Sequence, residues 1–275
     1  MAVVADVLSP PKATGRVVGP VRAALLVVEG LWTWYRRNWR ATVISSVLQP
    51  VLMLLALGLG LGSQVHPGAA TGGLPYVVYL APAVLAASAV QNAAGESTYP
   101  VLGSFKWQRI YWGITATPIT PGELLGGQLL WIALRLLFSG AAYLVVATAL
   151  GAVHGPGMLL SLLFAVLTGM AFGAPLVAFS ASLQSEGNEF SWVLRFVVLP
   201  MVLFSGTFFP VSQLPALVRP LAWVSPLWHG TELARGAAFG TLHWWPAAGH
   251  TAYLVGLFVL GVLLARWRFL VRLAV

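Results

Sequence analysis

The sequence predicts an all-α integral membrane protein with six transmembrane helices, an N-terminal interfacial amphipathic helix, and a re-entrant helical segment between spans five and six. Three observations predict it. First, 59% of the 275 residues are hydrophobic and 8% are charged, whereas a soluble domain carries roughly 25% charged residues. Second, the apolar residues gather into stretches close to the about 20 residues that one membrane crossing needs. Third, the stretch from Val202 to Trp245 is too apolar for a solvated loop, yet carries Pro210, Pro215, Pro220 and Pro226. Each proline removes a backbone donor and crowds the preceding turn, so a straight helix is excluded there. Irregular backbone at membrane depth persists only when packed in protein or lining a cavity. The expectation is a span ending near Phe209, two short helices turning back into the membrane over 210–246, and a last span from Ala247.

Residues 1–15 show no apolar period and predict a disordered tail. No signal peptide is expected, because Ala23 to Val28 is too short an apolar core and Glu29 interrupts its continuation. Over 16–40, Val17, Val21, Leu25, Val28, Leu31 and Tyr35 form one stripe. Arg22, Glu29, Thr33, Arg36 and Arg40 lie opposite, and Trp32, Trp34 and Trp39 edge the two faces. That pattern describes a helix lying in the membrane interface; the plainer reading is the solvated end of the first span. The six-span membrane domain then runs over 41–265. Its spans are expected at 41–62, with Pro50 inside, then 75–95, 123–150, 158–183, 190–209 and 247–265. A basic tail occupies 266–275.

Charge placement sets the orientation. Eleven of the fifteen Lys and Arg residues fall on one side of this scheme: Lys12, Arg16, Arg22, Arg36, Arg37, Arg40, Lys106, Arg109, Arg266, Arg268 and Arg272. Arg219 and Arg235 fall on the other, and Arg135 and Arg195 lie within spans. By the positive-inside rule both termini are cytoplasmic, in the plasma membrane, and the broken segment faces out. The net charge of +8 is thereby accounted for by membrane topology, and nucleic acid is not an expected partner.

Three sequence stretches carry a family resemblance. They are Thr115-Ala-Thr-Pro-Ile-Thr-Pro-Gly-Glu-Leu-Leu-Gly-Gly, Phe204-Ser-Gly-Thr-Phe-Phe-Pro-Val-Ser-Gln-Leu-Pro, and Ser225-Pro-Leu-Trp-His-Gly-Thr-Glu-Leu-Ala-Arg-Gly. Together they resemble the type-2 ABC exporter permeases, and most closely the NodJ-type and daunorubicin-resistance-type branches. The resemblance covers about Arg36 to the C-terminus; residues 1–15 match nothing in it. It implies a six-span permease that dimerises with itself or a similar permease. It also implies a separate ABC ATPase subunit that holds ATP and Mg, and a cytoplasmic coupling helix between spans two and three. The cargo class it implies is hydrophobic or amphipathic: a drug, a lipid or a lipid-linked glycan.

Candidate functional residues fall at both membrane faces and within the spans. In the loop 99–120, Phe105, Trp107, Ile110, Tyr111 and Ile114 alternate with Lys106, Gln108 and Arg109, so a short amphipathic helix there offers aromatic knobs to the ATPase or rests on the bilayer. Leu217, Leu221, Val224 and Leu227 are expected to pack over the outer ends of the spans as a gate. Glu232 and Arg235, three apart on a helix, are expected to pair with each other, as a latch or a structural clasp. Arg135 and Arg195, with Phe204 and Phe208, are pathway candidates; Arg195 is also placed to snorkel.

No cofactor is expected on the chain. Gly58-Leu-Gly-Leu-Gly lacks the Lys and Ser/Thr of a phosphate-binding loop. Gly58 with Gly62, and Gly169 with Gly173, read instead as sites of close helix packing. There is no cysteine, the five histidines lack metal spacing, and the single Asp is Asp6. An ion-coupled transporter would want an acidic group at mid-span, and a membrane-embedded enzyme a carboxylate or metal cluster; the sequence places neither.

Overall fold

A computed structural model of the protein describes residues 18–60, 62, 68, 71, 73–153 and 155–273, with the side chains of 38–47 and 59 outside the description. The tail 1–15 and His66 and His154 therefore lie outside the described residues. Every regular element among those described is helical. In chain order they are α1 (Pro20–Met53), running on into π turns over Leu54–Gly60, α2 (Tyr76–Ser97), α3 (Tyr99–Lys106), α4 (Ile110–Thr115), α5 (Pro121–Ala149) and α6 (Gly157–Ser182). Then come α7 (Glu189–Val193), π turns over Leu194–Val198, α8 (Leu199–Phe204), α9 (Arg219–Val224), α10 (Pro226–Phe239) and α11 (Trp244–Leu273).

Among the described residues, four helical stretches are long and apolar enough to cross a membrane: Tyr76–Lys106, which joins α2 to α3, then α5, α6 and α11. The first and fifth expected spans differ. Residues 20–53 form one continuous helix, so no break separates the interfacial stretch from the adjoining span. The reason is local: between Arg40 and Ala41 there is no glycine, proline or cap to stop a helix. The fifth stretch is divided into α7, the π turns and α8, with Pro200 in the first turn of α8.

α6 is the centre of the bundle, packed against α2, α5, α10 and α11. Small residues permit the close approach. A Cβ at Gly169 would stand 2.9 Å from the carbonyl oxygen of Ala89 in α2, and one at Gly173 would stand 3.3 Å from Ala93 Cβ. Pro175 of α6 finds its ring space opposite Gly261 of α11. With no hydrophobic driving force between helices in lipid, such packing and interhelical hydrogen bonds hold the spans together. Ser161 Oγ donates to Ala234 O at 2.7 Å, Ser180 Oγ to Ser97 O at 2.6 Å, and Tyr143 Oη to Ala81 O at 3.0 Å. These contacts define two ends. One gathers the end of α2, α3, α4, and the ends of α6 and α11, with Lys106, Arg109, Arg266, Arg268 and Arg272. The other gathers the start of α2, the start of α6, and 205–243.

Candidate functional site: a basic cleft at one end, a proline-broken cap at the other

At the basic end, α5 starts in a capping box. Thr120 Oγ1 accepts the Glu123 amide at 3.3 Å, and the Glu123 carboxylate accepts the Thr120 amide at 2.8 Å. That fixed start holds the short hairpin of α3 and α4 before it. Its corner is Arg109, a non-glycine residue at φ 53°, a left-handed conformation uncommon outside glycine. Phe105 and Tyr111 are not free knobs, contrary to expectation: they are 2% and 1% exposed. Their rings meet edge to face at 4.7 Å, and both pack on Phe269 of α11. Burial pushes the Tyr111 hydroxyl well above the usual phenol range. The side chains that do face out are Trp107, Gln108, Arg109, Ile110 and Trp112, the last not anticipated from the sequence.

Lys106 reaches across to the link after α6, bonding Glu186 at 2.5 Å, while Trp107 Nε1 donates to the same carboxylate at 3.1 Å. Those two donors hold the exposed Glu186 carboxyl below the usual range, and Ser185 does the same for Glu189. Beside this clasp lies a cleft of about 800 Å³, lined by Lys106, Arg109, Arg268 and Arg272 with Trp112 and Phe105. Lys106 is paired with Glu186, which leaves Arg109, Arg268 and Arg272 to set the positive charge of the cleft.

Arg135 is placed by a partner from the start of 96–122, a stretch expected as a polar loop. Its Nη2 bonds Glu96 Oε1 at 2.6 Å, and its guanidinium lies 4.4 Å over the Tyr35 ring. Glu96 belongs to the last turn of α2, inside a candidate span, not to the loop beyond it. Arg135 thus ties α1, α2 and α5 together. Arg195 is exposed within the π turns.

At the opposite end the proline-broken segment folds as expected into short pieces, but its apolar residues do not all pack inward. Leu227 is fully buried, whereas Leu217 and Leu221 are 92% and 72% exposed, and Val224 is exposed as well. The cause is the register of α9, which turns Ala222 to the protein and Leu221 and Val224 away from it. The expected Glu232–Arg235 pair is also replaced. The ion pairs among the described residues are Lys106–Glu186 and Arg135–Glu96. Arg235 instead donates to Gly206 O at 2.7 Å and Thr207 O at 2.9 Å and stacks 4.0 Å over Tyr79. Gly206, at φ 80°, supplies the turn that brings those carbonyls to it. Arg219 likewise donates to Leu214 O and Ser212 O. Prolines break the helix and leave carbonyls without partners, and the two arginines of this end satisfy four of them. Tyr76 Oη holds Phe208 O at 3.1 Å, and Phe208 packs on the core, while Phe204 is exposed. An unforeseen contact joins α10 to α11: His229 Nδ1 lies 2.8 Å from His250 Nδ1, with Tyr253 stacked on His229. Among the described residues no three acidic or histidine side chains converge to hold a metal.

Comparison with known proteins fits this arrangement. Residues 24–239 match the ABC-2 type transporter family. Nodulation protein J of Sinorhizobium fredii is 34% identical over 226 residues, covering 78% of this chain and 85% of that protein. Nodulation protein J of Rhizobium leguminosarum bv. viciae is 32% identical, covering 75% and 81%. The inner membrane transport permease YadH of Escherichia coli is 23% identical, covering 70% and 73%. An all-helical bundle with several apolar spans, matched over most of its length by these permeases, belongs to the ABC-2 type transporter family.

Proposed function

We propose that this chain forms the membrane pathway of an exporter in the plasma membrane, driven by ATP and Mg bound on a separate ABC ATPase, and that it works as a dimer with itself or a similar permease. The cargo is hydrophobic or amphipathic, a drug, a lipid or a lipid-linked glycan. In this reading both termini are cytoplasmic, α1 with its π turns and α7–α8 complete a set of six spans, and 210–246 re-enters from outside. The observation that carries it is the basic cleft, whose lining residues Arg109 and Trp112 stand exposed, beside Trp107 and Ile110, on a hairpin wedged into the bundle by Phe105 and Tyr111. Exposed indoles beside Arg109, Arg268 and Arg272 are costly to leave bare and suited to a partner. Because Phe105 also touches Phe269, movement of the hairpin reaches α11 directly.

At the outer end, Leu217, Leu221 and Val224 form an apolar edge that fits a dimer partner or lipid better than water, and Leu227 fastens it. Glu232 and Arg235 act separately here, with Arg235 as the structural anchor. Arg195, Phe204 and the neighbouring face of α7–α8 are the pathway side; Arg135 is a structural tie.

The test pairs Trp112→Ala with Arg109→Ala in the full chain. The ATPase should co-purify with the unaltered permease and be lost, or lose its transport-linked hydrolysis, in the double variant, while insertion and thermal stability persist. Unchanged co-purification and unchanged transport would remove the docking role from this corner.

A further inference from the structure

A second concavity lies away from the basic cleft, and nothing in the transport reading uses it. α1 leans along α5, with Val27 seated on Gly127 and the rings of Trp32, Tyr35 and Trp131 meeting at 5.5–6.4 Å. On one side of that seam is a groove of about 720 Å³, walled by Trp32, Trp131, Leu134, Leu137 and Phe138, with Arg36 in its lining. A neighbouring cavity of about 660 Å³ shares Tyr35, Trp131 and Arg135 with it.

Its depth can be placed from hydrogen bonds. Arg135 holds Glu96; the next residue, Ser97, accepts from Ser180; and Ser180 with Ala181 accepts from Arg272. Arg135 therefore shares a level with the basic end of α11. From Arg135 to Ala141 the groove climbs six residues of α5 away from that level, about 9 Å at helical rise. Leu134, Leu137 and Phe138 open laterally, being exposed on this chain.

We propose that this groove binds one anionic phospholipid, with an acyl chain along Leu134 to Ala141 and its phosphate on Arg36. Apolar walls open to the side at membrane depth are filled by hydrocarbon, since neither water nor a void is stable there. The headgroup choice comes from charge. Arg135 is neutralised by Glu96, so the charges lining the groove sum to that of Arg36, whose guanidinium matches a phosphate with paired donors. Trp32 beside it is the amphipathic ring favoured at the headgroup boundary. The site stands whether or not the chain exports the cargo proposed above.

The test uses the full chain in liposomes containing phosphatidylglycerol or phosphatidylethanolamine with a photoreactive group on one acyl chain, and maps adducts by mass spectrometry. Phosphatidylglycerol adducts should concentrate several-fold at Leu134–Ala141 over the exposed Leu260, Leu263 and Leu264 of α11, with no such preference for phosphatidylethanolamine. Arg36→Gln should bring the groove down to the α11 level, and Arg36→Lys should retain the preference. Equal labelling by both lipids, or an unchanged pattern in Arg36→Gln, would overturn the assignment. A groove free of adducts would show that another protein surface covers it, with the same consequence.

Discussion

The pair Glu96–Arg135 offers the sharpest energetic test. Its side chains retain 19% and 9% of their exposure, their contact is 2.6 Å, and Tyr35 stacks on the guanidinium at 4.4 Å. Removing one member of a buried ion pair costs about 3–5 kcal/mol, because the other charge is left without compensation. Here the residual exposure softens that cost, and the Tyr35 stack retains about 0.5–2 kcal/mol for the cation. Glu96→Leu is therefore expected to cost about 2–3 kcal/mol, and Arg135→Leu a similar amount. Replacing both by apolar residues removes both desolvation penalties, so the double variant should lie within about 1 kcal/mol of the native protein. At about 2–4 °C per kcal/mol for chains somewhat shorter than this one, each single change lowers Tm by about 4–12 °C and the double change restores most of it. Thermal unfolding in mild detergent, followed by tryptophan fluorescence, measures this. Single shifts under about 2 °C, or a double variant that falls by the sum of the two, would refute a coupled pair.

Three further expectations concern the packing and the two ends. Gly169→Ala places a Cβ 2.7 Å from Leu136 Cδ1 and 2.9 Å from a backbone oxygen, so it should cost about 1–3 kcal/mol. Gly256→Ala meets nothing within 4 Å and should gain up to about 1 kcal/mol of helix propensity; equal effects on Tm would contradict the packing of α6 on α2. Arg235→Met should cost about 2–3 kcal/mol through two lost charged hydrogen bonds, while Glu232→Gln, on an exposed residue, should change Tm by less than about 0.5 kcal/mol equivalent; a comparable loss for both would revive the latch between them. Glu186 has a depressed folded pKa, so its clasp on Lys106 and Trp107 is fully present at neutral pH and is lost as pH falls through that depressed value. The protection of the 184–189 amides relative to their intrinsic exchange rate at each pH should fall on acidification in the native chain, and Glu186→Gln should show the lower protection already at neutral pH.

The long spans were legible because stretches of 18 residues or more that are strongly apolar on average leave little other solution. α2, α5, α6 and α11 begin and end within a few residues of expectation, except that α11 extends past Ala265 through Arg266 and Arg268 to Leu273. A charge ends a hydropathy window but not a helix. The same effect hid Glu96: the apolar run stops there, while the helix and its buried partner, 39 positions later in α5, continue. In the hairpin, Phe105 and Trp107 both look like knobs, since alternating aromatics do not say which face the bundle claims. Only the position of Phe269, far along the chain, decides that Phe105 goes in and Trp107 stays out. Glu232 and Arg235 have the spacing of a helical pair, but carbonyls stranded by Gly206 and the nearby prolines compete for the guanidinium and win.

The two runs of π turns divide the molecule mechanically. Both pack against α2, one at the end of α1 over Leu54–Gly60 and the other between α7 and α8 over Leu194–Val198. Wide turns are where helices bend, whereas α5, α6 and α11 run without them. The two π runs thus form a compliant edge against α2, while the body of α1 stays packed on α5. The hairpin of α3 and α4 is fastened to α11 through Phe269 and to the link after α6 through the Glu186 clasp. A push delivered there is transmitted as displacement of a block, and the bending it demands is absorbed at that edge. Slow amide exchange along α6 and α11, beside fast exchange across both π runs, is the measurable form of that division.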